Sequence, residues 1–97
     1  MDTQDYISIE IFSRHHGVDR SFIDALGDCG LIEITSLKHE HYIRTDQLSN
    51  AEKMIRLYLD LHINVEGIDS IMELLQRIKR LQEEVVMLRN KLRLYED

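Results

Sequence analysis

Residues 71–95 have the sequence IMELLQRIKRLQEEVVMLRNKLRLY and repeat apolar side chains every three or four positions, in a chain without proline. Taking Ile71 as position a of a seven-residue repeat places an apolar or aromatic side chain at every a and d position over four repeats. We call these eight positions the seam: Ile71, Leu74, Ile78, Leu81, Val85, Leu88, Leu92 and Tyr95. A period of 3.5 residues over this length predicts one long helix whose apolar stripe packs against another helix.

The helix that carries the seam is expected to begin near Val65 and to extend for about 45 Å, which exceeds the width of a domain of this size. Its stripe has two possible partners. It either pairs with the same helix of a second copy, which gives a homodimer, or braces the N-terminal part of its own chain. We therefore divide the chain into an N-terminal module, residues 1–62, and a dimerisation or bracing helix, residues 63–97.

The residue types in the seam favour a two-stranded pairing, because Ile or Val at a with Leu at d is typical of dimers. In a parallel pair the flanking charges attract, with Glu84 opposite Arg89 and Lys91 opposite Glu96, whereas a centred antiparallel pair brings Arg77 near Lys91. Exposed pairs of this kind contribute only about 0.3–0.5 kcal/mol each, so packing can override them. The charge pattern alone leaves the orientation open.

The composition is that of an ordinary folded protein. The 97 residues are 43% hydrophobic and 31% charged, and they include one cysteine, Cys29, which cannot form an intramolecular disulfide. No apolar run is long enough to span a bilayer. The acidic start, MDTQDYISIE, lacks the basic and apolar regions of a secretory signal. We expect a cytoplasmic protein that makes no contact with a membrane.

The net charge of −6 is unevenly distributed. Residues 1–50 contain nine acids and four Lys or Arg, a net charge of −5, whereas residues 51–97 contain nine acids and eight Lys or Arg. A surface with excess carboxylates repels the phosphates of nucleic acids and favours a basic protein as its partner.

Capping signals divide the N-terminal module into short helices. Ser8 is the predicted N-cap of a first helix that ends at Gly17, and Asp19 is the predicted N-cap of a second helix that Gly30 closes. Two short helices joined by a tight Gly-Val-Asp turn form a helix-turn-helix unit.

The period then changes to that of a strand. Leu31–Thr35 is rich in β-branched residues and predicts a strand, with His41–Ile43 as its partner. The loop between them contains neither Gly nor Asn, so its turn type is not specified. Thr45 or Asp46 is predicted to cap a third helix, and Asn64 to cap the long helix. The sequence thus predicts a mainly α fold: a winged helix-turn-helix module with two short helices, a small β-hairpin and a third helix, followed by a long coiled-coil-like helix.

The chain offers little for catalysis or metal binding. His15 and His16 are adjacent and point about 100° apart on a helix, and the pair His39 and His41 lacks a third and a fourth ligand. Cys29 has no CxxC partner and is expected to be a small buried residue. The sequence contains no phosphate-binding loop and no nucleophile motif. We therefore expect no enzyme activity, no metal and no cofactor.

Nucleic-acid binding is the main alternative that the topology raises. A DNA-reading helix presents basic and amide side chains to phosphates and base edges. The second helix offers Arg20 and Ser21 against the carboxylates of Asp19, Asp24 and Asp28. DNA binding is therefore an unfavoured alternative, which the sequence leaves open.

Several short motifs occur in a characteristic order: Arg14-His15-His16-Gly17-Val18-Asp19, Phe22-Ile23, Gly30-Leu31-Ile32-Glu33, His62-Ile63-Asn64-Val65-Glu66-Gly67-Ile68 and Leu74-Leu75. With the order of the elements, they resemble the MerR-type winged helix-turn-helix proteins, and in particular the chaperone-modulator branch, the CbpM family. The sequence departs from DNA-binding MerR regulators in the stretch Ser21–Leu26, which lacks their arginine–tyrosine pair. It also spaces Tyr42 and Arg44 of the wing differently.

The resemblance to the CbpM family implies binding to the J-domain of a DnaJ-type co-chaperone of the CbpA class, and inhibition of its stimulation of the Hsp70 chaperone. A J-domain reaches Hsp70 through a basic helix, so an acidic module is a suitable competitor. We expect the following residues at this interface: Glu10, Asp19, Phe22, Asp24, Asp28 and Glu33. Phe22 is the candidate apolar anchor, with a place in the core as its alternative. The resemblance also implies antiparallel pairing of the long helices.

Overall fold

The computed structural model describes residues 5–96, which form four α-helices and three short strands. In chain order the elements are β1 (Tyr6–Ser8), α1 (Ile9–His16), α2 (Arg20–Asp28), β2 (Ile34–Leu37), β3 (Glu40–Arg44), a 3₁₀ turn (Thr45–Gln47), α3 (Leu48–Leu61) and α4 (Val65–Tyr95). The helix-turn-helix consists of α1 and α2, and the wing consists of β2 and β3. The predicted mainly α winged helix-turn-helix fold with a long C-terminal helix is confirmed.

Local sequence signals explain the ends of α1 and the start of α2. The Ile11 amide donates to the Ser8 hydroxyl at 3.4 Å, so Ser8 is the N-cap of α1, as predicted. Gly17 ends α1 in the left-handed conformation, with φ at 68°, and its amide donates to the Arg14 carbonyl at 3.3 Å. Asp19 occupies the N-cap position of α2, as predicted, although its carboxylate accepts no capping hydrogen bond from the described residues.

The sheet has three strands in the order β1-β3-β2, rather than the two that the sequence predicted. Strand β1 is three residues long, too short to show a period of two, and Ile7 pairs with Ile43 in its ladder. Strand β2 begins at Ile34, three residues later than predicted. The Gln47 side chain, instead of a strand residue, hydrogen-bonds the backbone of Glu33. Strand β3 contains the predicted partner segment.

The wing turns through Lys38 and His39, which both have left-handed backbone conformations, with φ at 51° and 68°. Leu37 pairs with Glu40 on either side of these two residues. A two-residue hairpin loop with two positive φ angles matches a type I′ turn, for which Asn-Gly is the usual sequence. A left-handed residue other than glycine costs roughly 1–2 kcal/mol. The tip of the wing is therefore strained. Because Lys38 and His39 are not residues typical of a type I′ turn, the sequence did not predict the turn type.

One hydrophobic core joins the helix-turn-helix, the sheet, α3 and the start of α4. Its buried side chains are Ile9, Phe12, Phe22, Ile23, Leu26, Ile32, Ile43, Ala51, Met54, Ile55 and Ile68. Ile68, in the first turns of α4, is fully buried, and Val65 and Met72 pack against the same cluster. The division that we drew at residue 62 falls in the short connection between α3 and α4, and the core continues across it.

The connection between α3 and α4 is set by two caps. His62 ends α3 in the left-handed conformation, with φ at 56°. The Gly67 amide donates to the Asn64 side chain at 2.9 Å, which makes Asn64 the N-cap of α4, as predicted. A Cβ atom at Gly67 would lie 2.7 Å from Ile63 Cγ2. Glycine at this position thus lets Ile63 fold over the first turn of α4.

Two local predictions were wrong. Thr45 and Asp46 do not cap α3, because Thr45–Gln47 forms a 3₁₀ turn that continues directly into the helix. Cys29 is not a small buried residue but an exposed one. It occupies the C-cap position of α2, beyond Leu26, the last residue of that helix in the core.

Most of α4 extends beyond the core. From Leu74 to Tyr95 the seam side chains are between 45% and 87% exposed, and Ile71 is half-buried. The longest dimension of the molecule is 62 Å. A single copy therefore leaves most of the seam uncovered, and bracing accounts only for the start of the helix. Within residues 5–96, no helix combines the length and the apolar character needed to cross a membrane.

We predict that Ile68→Ala lowers the free energy of unfolding by about 2–5 kcal/mol, because it removes a fully buried side chain from the core. Val86→Ala, at an exposed α4 position outside the seam, is the control and should change stability by no more than about 0.5 kcal/mol. Urea unfolding followed by circular dichroism measures both variants. If both substitutions lowered the free energy of unfolding by the same amount, the first turns of α4 would not belong to the core.

Candidate partner-binding groove

An open groove of about 900 Å³ lies between α2 and β2. Arg20, Asp24 and Asp28 stand along its α2 wall, four residues apart and therefore on one face of the helix. Residues 30–34 and Ser36 form the opposite wall. The groove thus runs between a charged helix face and a length of backbone that leads into β2.

Gly27 brings these two walls together. A Cβ atom at Gly27 would lie 2.7 Å from Ile34 Cδ1 and 3.3 Å from Ile34 Cγ1, closer than carbon atoms pack. Glycine permits the contact, although it costs about 1 kcal/mol of helix propensity relative to alanine. Ile34 is half-buried and contributes apolar surface to the groove.

Three of the five carboxylates that we predicted at a partner interface line this groove: Asp24, Asp28 and Glu33. Glu10 lines a smaller depression, which shares two residues with the groove. Asp19 lies at the start of α2 and lines neither. The fold therefore gathers four of the five predicted carboxylates around adjoining surfaces of the module.

The arginines in and near the groove are paired within the chain. Arg20 Nε lies 3.2 Å from Asp24 Oδ1, one helical turn away. Arg44 donates to Glu33 Oε1 at 2.9 Å and to Asp46 Oδ1 at 3.2 Å. The hydrogen bonds to Asp46 and then to Glu33 raise the pKa of the Arg44 guanidinium above its ordinary value. Both arginines are thus held by carboxylates, so that no arginine among the described residues that line the groove is unpaired.

Asp28 is the groove carboxylate without such a partner, since no cation among residues 5–96 lies within ion-pairing distance of it. It stands in the last turn of α2, where the helix dipole presents partial negative charge. Arg20 stands at the positive end, so both charges oppose the dipole, each by about 0.3–1 kcal/mol. This placement of the two charges destabilises α2 in the unbound protein, and it favours the binding of a cation at Asp28.

Phe22 is a core residue, so its predicted role as an apolar anchor at the interface is wrong. Its side chain is 5% exposed. Its ring stacks on Tyr58 of α3, with 4.0 Å between the centroids and 18° between the planes. A ring held in this way cannot reach a partner unless α2 separates from α3.

Four polar residues of the groove were absent from the predicted partner-binding residues: Arg20, Ser36, His41 and Gln47. Ser36 Oγ and His41 Nδ1 are 3.0 Å apart on neighbouring strands. The Gln47 side chain bonds the Glu33 amide at 2.8 Å and the Glu33 carbonyl at 3.4 Å. The two-residue spacing between Ile34 and Ser36 was a signal that could have placed Ser36 here. Gln47 lies 14 residues from Glu33, and no local pattern links them.

The groove is suited to bind cationic groups of another protein. Exposed carboxylates accept charge-assisted hydrogen bonds from Lys and Arg side chains. Within the part of the chain that the structure describes, no group of three His, Cys, Asp or Glu side chains is arranged to hold a metal ion.

Comparison with known proteins identifies the family. The model of the MerR HTH family of regulatory proteins matches residues 7–90, a range that holds α1, α2, the wing, α3 and most of α4. No match was found among curated proteins or among solved structures. Because the family model covers most of its length, the chain belongs to the MerR HTH family of regulatory proteins.

Proposed function

We propose that this MerR-family protein is a non-enzymatic, cytoplasmic chaperone modulator. It binds the J-domain of a DnaJ-type co-chaperone of the CbpA class and inhibits the stimulation of Hsp70 by that co-chaperone. The proposal combines the family membership with the motifs that resemble the CbpM branch. The binding site in this proposal is the groove between α2 and β2.

The observation that carries the proposal is the gathering of Asp24, Asp28 and Glu33 between the second helix of the helix-turn-helix and the wing. In a DNA-reading protein of this architecture, the second helix enters the major groove between phosphate backbones. Lys and Arg side chains suit that position. Here three carboxylates face one arginine, Arg20, which Asp24 neutralises. The charge favours a basic protein surface over a nucleic acid.

Inhibition follows from competition for one surface of the J-domain. A J-domain contacts Hsp70 through a basic helix, and a groove rich in carboxylates attracts that helix by complementary charge. Such complementarity raises the association rate and fixes the orientation of the partner. A basic helix that is held by the module is unavailable to Hsp70.

We predict that Asp28→Lys weakens binding of the J-domain by about tenfold or more, because repulsion replaces a charge-assisted hydrogen bond of about 1.5–3 kcal/mol. The change should not lower the melting temperature, since it places a cation in the last turn of α2. Asp60→Lys makes the same charge change on the exposed side of α3, outside the groove, and is the matched control. Titration calorimetry with the purified J-domain and thermal unfolding measure the two properties.

Weaker binding by Asp28→Lys, with parent-like binding by Asp60→Lys, would support the groove as the site. Equal weakening by both variants would attribute the effect to net charge alone. If the parent chain did not bind the J-domain at high micromolar concentration, the proposed function would be rejected.

We also propose that two copies of the chain pair through the seam of α4. The exposed seam side chains from Leu74 to Tyr95 form a contiguous apolar surface. Such surfaces on soluble proteins mark interaction sites. Pairing buries these side chains by knobs-into-holes packing, and the resulting homodimer carries two grooves. The flanking charges favour a parallel pair, whereas the family resemblance favours an antiparallel one.

Leu81→Asp or Leu88→Asp is expected to convert the dimer into a monomer, because each places an unpaired carboxylate in an apolar interface. Asn90→Asp adds the same charge outside the seam and should leave the mass in solution unchanged. Light scattering gives the mass of each variant. A parent chain that has the monomer mass of 11.5 kDa at high micromolar concentration would contradict the pairing.

DNA binding by a transcription regulator is the second candidate. The observation that favours it is membership of a family of helix-turn-helix regulatory proteins. Lys38 is also exposed at the tip of the wing. Arg20 and Arg44 are held by carboxylates, which weakens their attraction for phosphates.

If α2 reads DNA, Arg20→Ala should reduce binding to a duplex and make that binding less dependent on salt, because fewer counterions are released. Arg56→Ala, on the exposed side of α3, is the control. Gel-shift titrations with a random duplex library at low and high salt measure both effects. Salt-sensitive binding that depends on Arg20, together with no J-domain binding, would establish this candidate in place of the first.

A further inference from the structure

We infer that the outer edge of β2 accepts an extended, basic peptide segment as a fourth strand of the sheet. The inference goes beyond the proposed function, because its occupant is an extended segment at the edge of β2 and not the basic helix of the J-domain, and the two would compete for the groove. Strand β2 lies at an edge, because the strand order is β1-β3-β2. Edge strands present unpaired amides and carbonyls to which another chain can add.

The register of the wing decides which backbone groups point outward. Leu37 and Glu40 flank the two-residue turn and therefore exchange backbone hydrogen bonds, as the residues around a type I′ turn do. Hydrogen-bonded and non-hydrogen-bonded pairs alternate along an antiparallel ladder, so Thr35 also bonds to β3. The amides and carbonyls of Ile34 and Ser36 consequently point away from β3, towards the outer edge.

Contacts at the other end of the sheet agree with this alternation. The Thr45 amide donates to the Asp5 carbonyl at 3.0 Å, directly after the pairing of β3 with β1. Backbone groups at odd-numbered positions of β3 thus face β1, and those at even-numbered positions face β2. Directly before β2, the backbone of Glu33 is hydrogen-bonded by the Gln47 side chain. The outward backbone amides and carbonyls of Ile34 and Ser36 take no part in that contact.

The groove provides space for a strand beside this edge. One wall follows the backbone of residues 30–34 and Ser36, and the other is the charged face of α2. An extended peptide that adds to a sheet needs such an exposed edge, with pockets for its alternate side chains. The other edge strand, β1, is only three residues long and passes from Ser8 directly into α1.

The side chains around the edge select a basic segment. An added strand directs alternate side chains to opposite faces of the sheet. On the α2 side of the groove these side chains meet the carboxylates of Asp24 and Asp28, and Ile34 offers an apolar contact. Arg20 is held by Asp24 at 3.2 Å and so offers little repulsion to an incoming cation. A segment that alternates Lys with β-branched residues therefore fits both the charge and the geometry.

Ser36→Pro tests the edge in the full-length chain. Proline removes the outward amide and places its ring in the path of an added strand, while the inward ladder of Thr35 and Leu37 is retained. Ser36→Ala is the matched control, because it removes only the hydroxyl that contacts His41. The probe is the peptide acetyl-Lys-Val-Lys-Thr-Lys-Val-amide, and nuclear magnetic resonance titration measures its binding.

We expect Ser36→Pro to weaken peptide binding by about tenfold or more, and Ser36→Ala to bind like the parent chain. Saturating peptide should slow hydrogen exchange at the Ile34 and Ser36 amides of the parent chain, but not at the Thr35 amide, which is already bonded. The same peptide with glutamate in place of lysine should not bind. Equal binding of the two peptides would overturn the choice of a basic segment.

Parent-like peptide binding by a folded Ser36→Pro variant, or unchanged exchange at Ile34 and Ser36, would overturn the inference. If circular dichroism shows that Ser36→Pro does not fold, the exchange measurement on the parent chain decides the question. J-domain binding without protection of the edge by the peptide would reject the inference and leave the proposed function intact. Protection of the edge without J-domain binding would reject the proposed function and retain the edge as a peptide site.

Discussion

The close packing of α2 against β2 at Gly27 and Ile34 is the constraint on which the candidate site depends. A Cβ atom at Gly27 would approach Ile34 to 2.7 Å, so the absence of a side chain sets the distance between helix and strand. The stacking of Phe22 on Tyr58 holds α2 against α3. Held by these two contacts, α2 presents its remaining face, with its charges four residues apart, to the groove. The apolar contacts therefore determine where the carboxylates stand, and the carboxylates determine what the groove can bind.

The parts of the fold that the sequence predicted are those with a local chemical signal. Caps at Ser8 and Gly17 marked the ends of α1, and the seven-residue repeat marked α4. The parts that it missed depend on contacts between distant positions. Strand β1 is three residues long, and its place in the sheet depends on the pairing of Ile7 with Ile43. The late start of β2 reflects a side chain that lies 14 residues away and bonds the backbone ahead of the strand.

For the candidate site, the sequence predicted the composition but not the arrangement. The charge count identified an acidic module, and three of the five proposed carboxylates line one groove. The same count could not show that Glu33 is held by Arg44, because that pair joins the segment before β2 to the end of β3. Nor could it separate the two roles of Phe22, since an apolar residue at helical spacing fits both a core and an exposed anchor. The stacking partner on α3 decides between them, and that contact is not local.

These internal ion pairs change what the acidity of the groove means. The pairs of Arg20 with Asp24 and of Arg44 with Glu33 are exposed and contribute little to stability, yet they neutralise two of the three groove carboxylates. In the proposed complex, attraction at a distance then comes from the net charge of the whole module, which salt screens over about 8 Å at physiological ionic strength. Selection at contact falls to Asp28 and to the hydrogen-bonding groups beside it. A general acidic surface would attract any basic protein, whereas the proposed site combines a strand edge with Asp28, which has no cation partner among residues 5–96, and so also requires a particular shape and register of backbone. Specificity in such a site comes from the combination of the two.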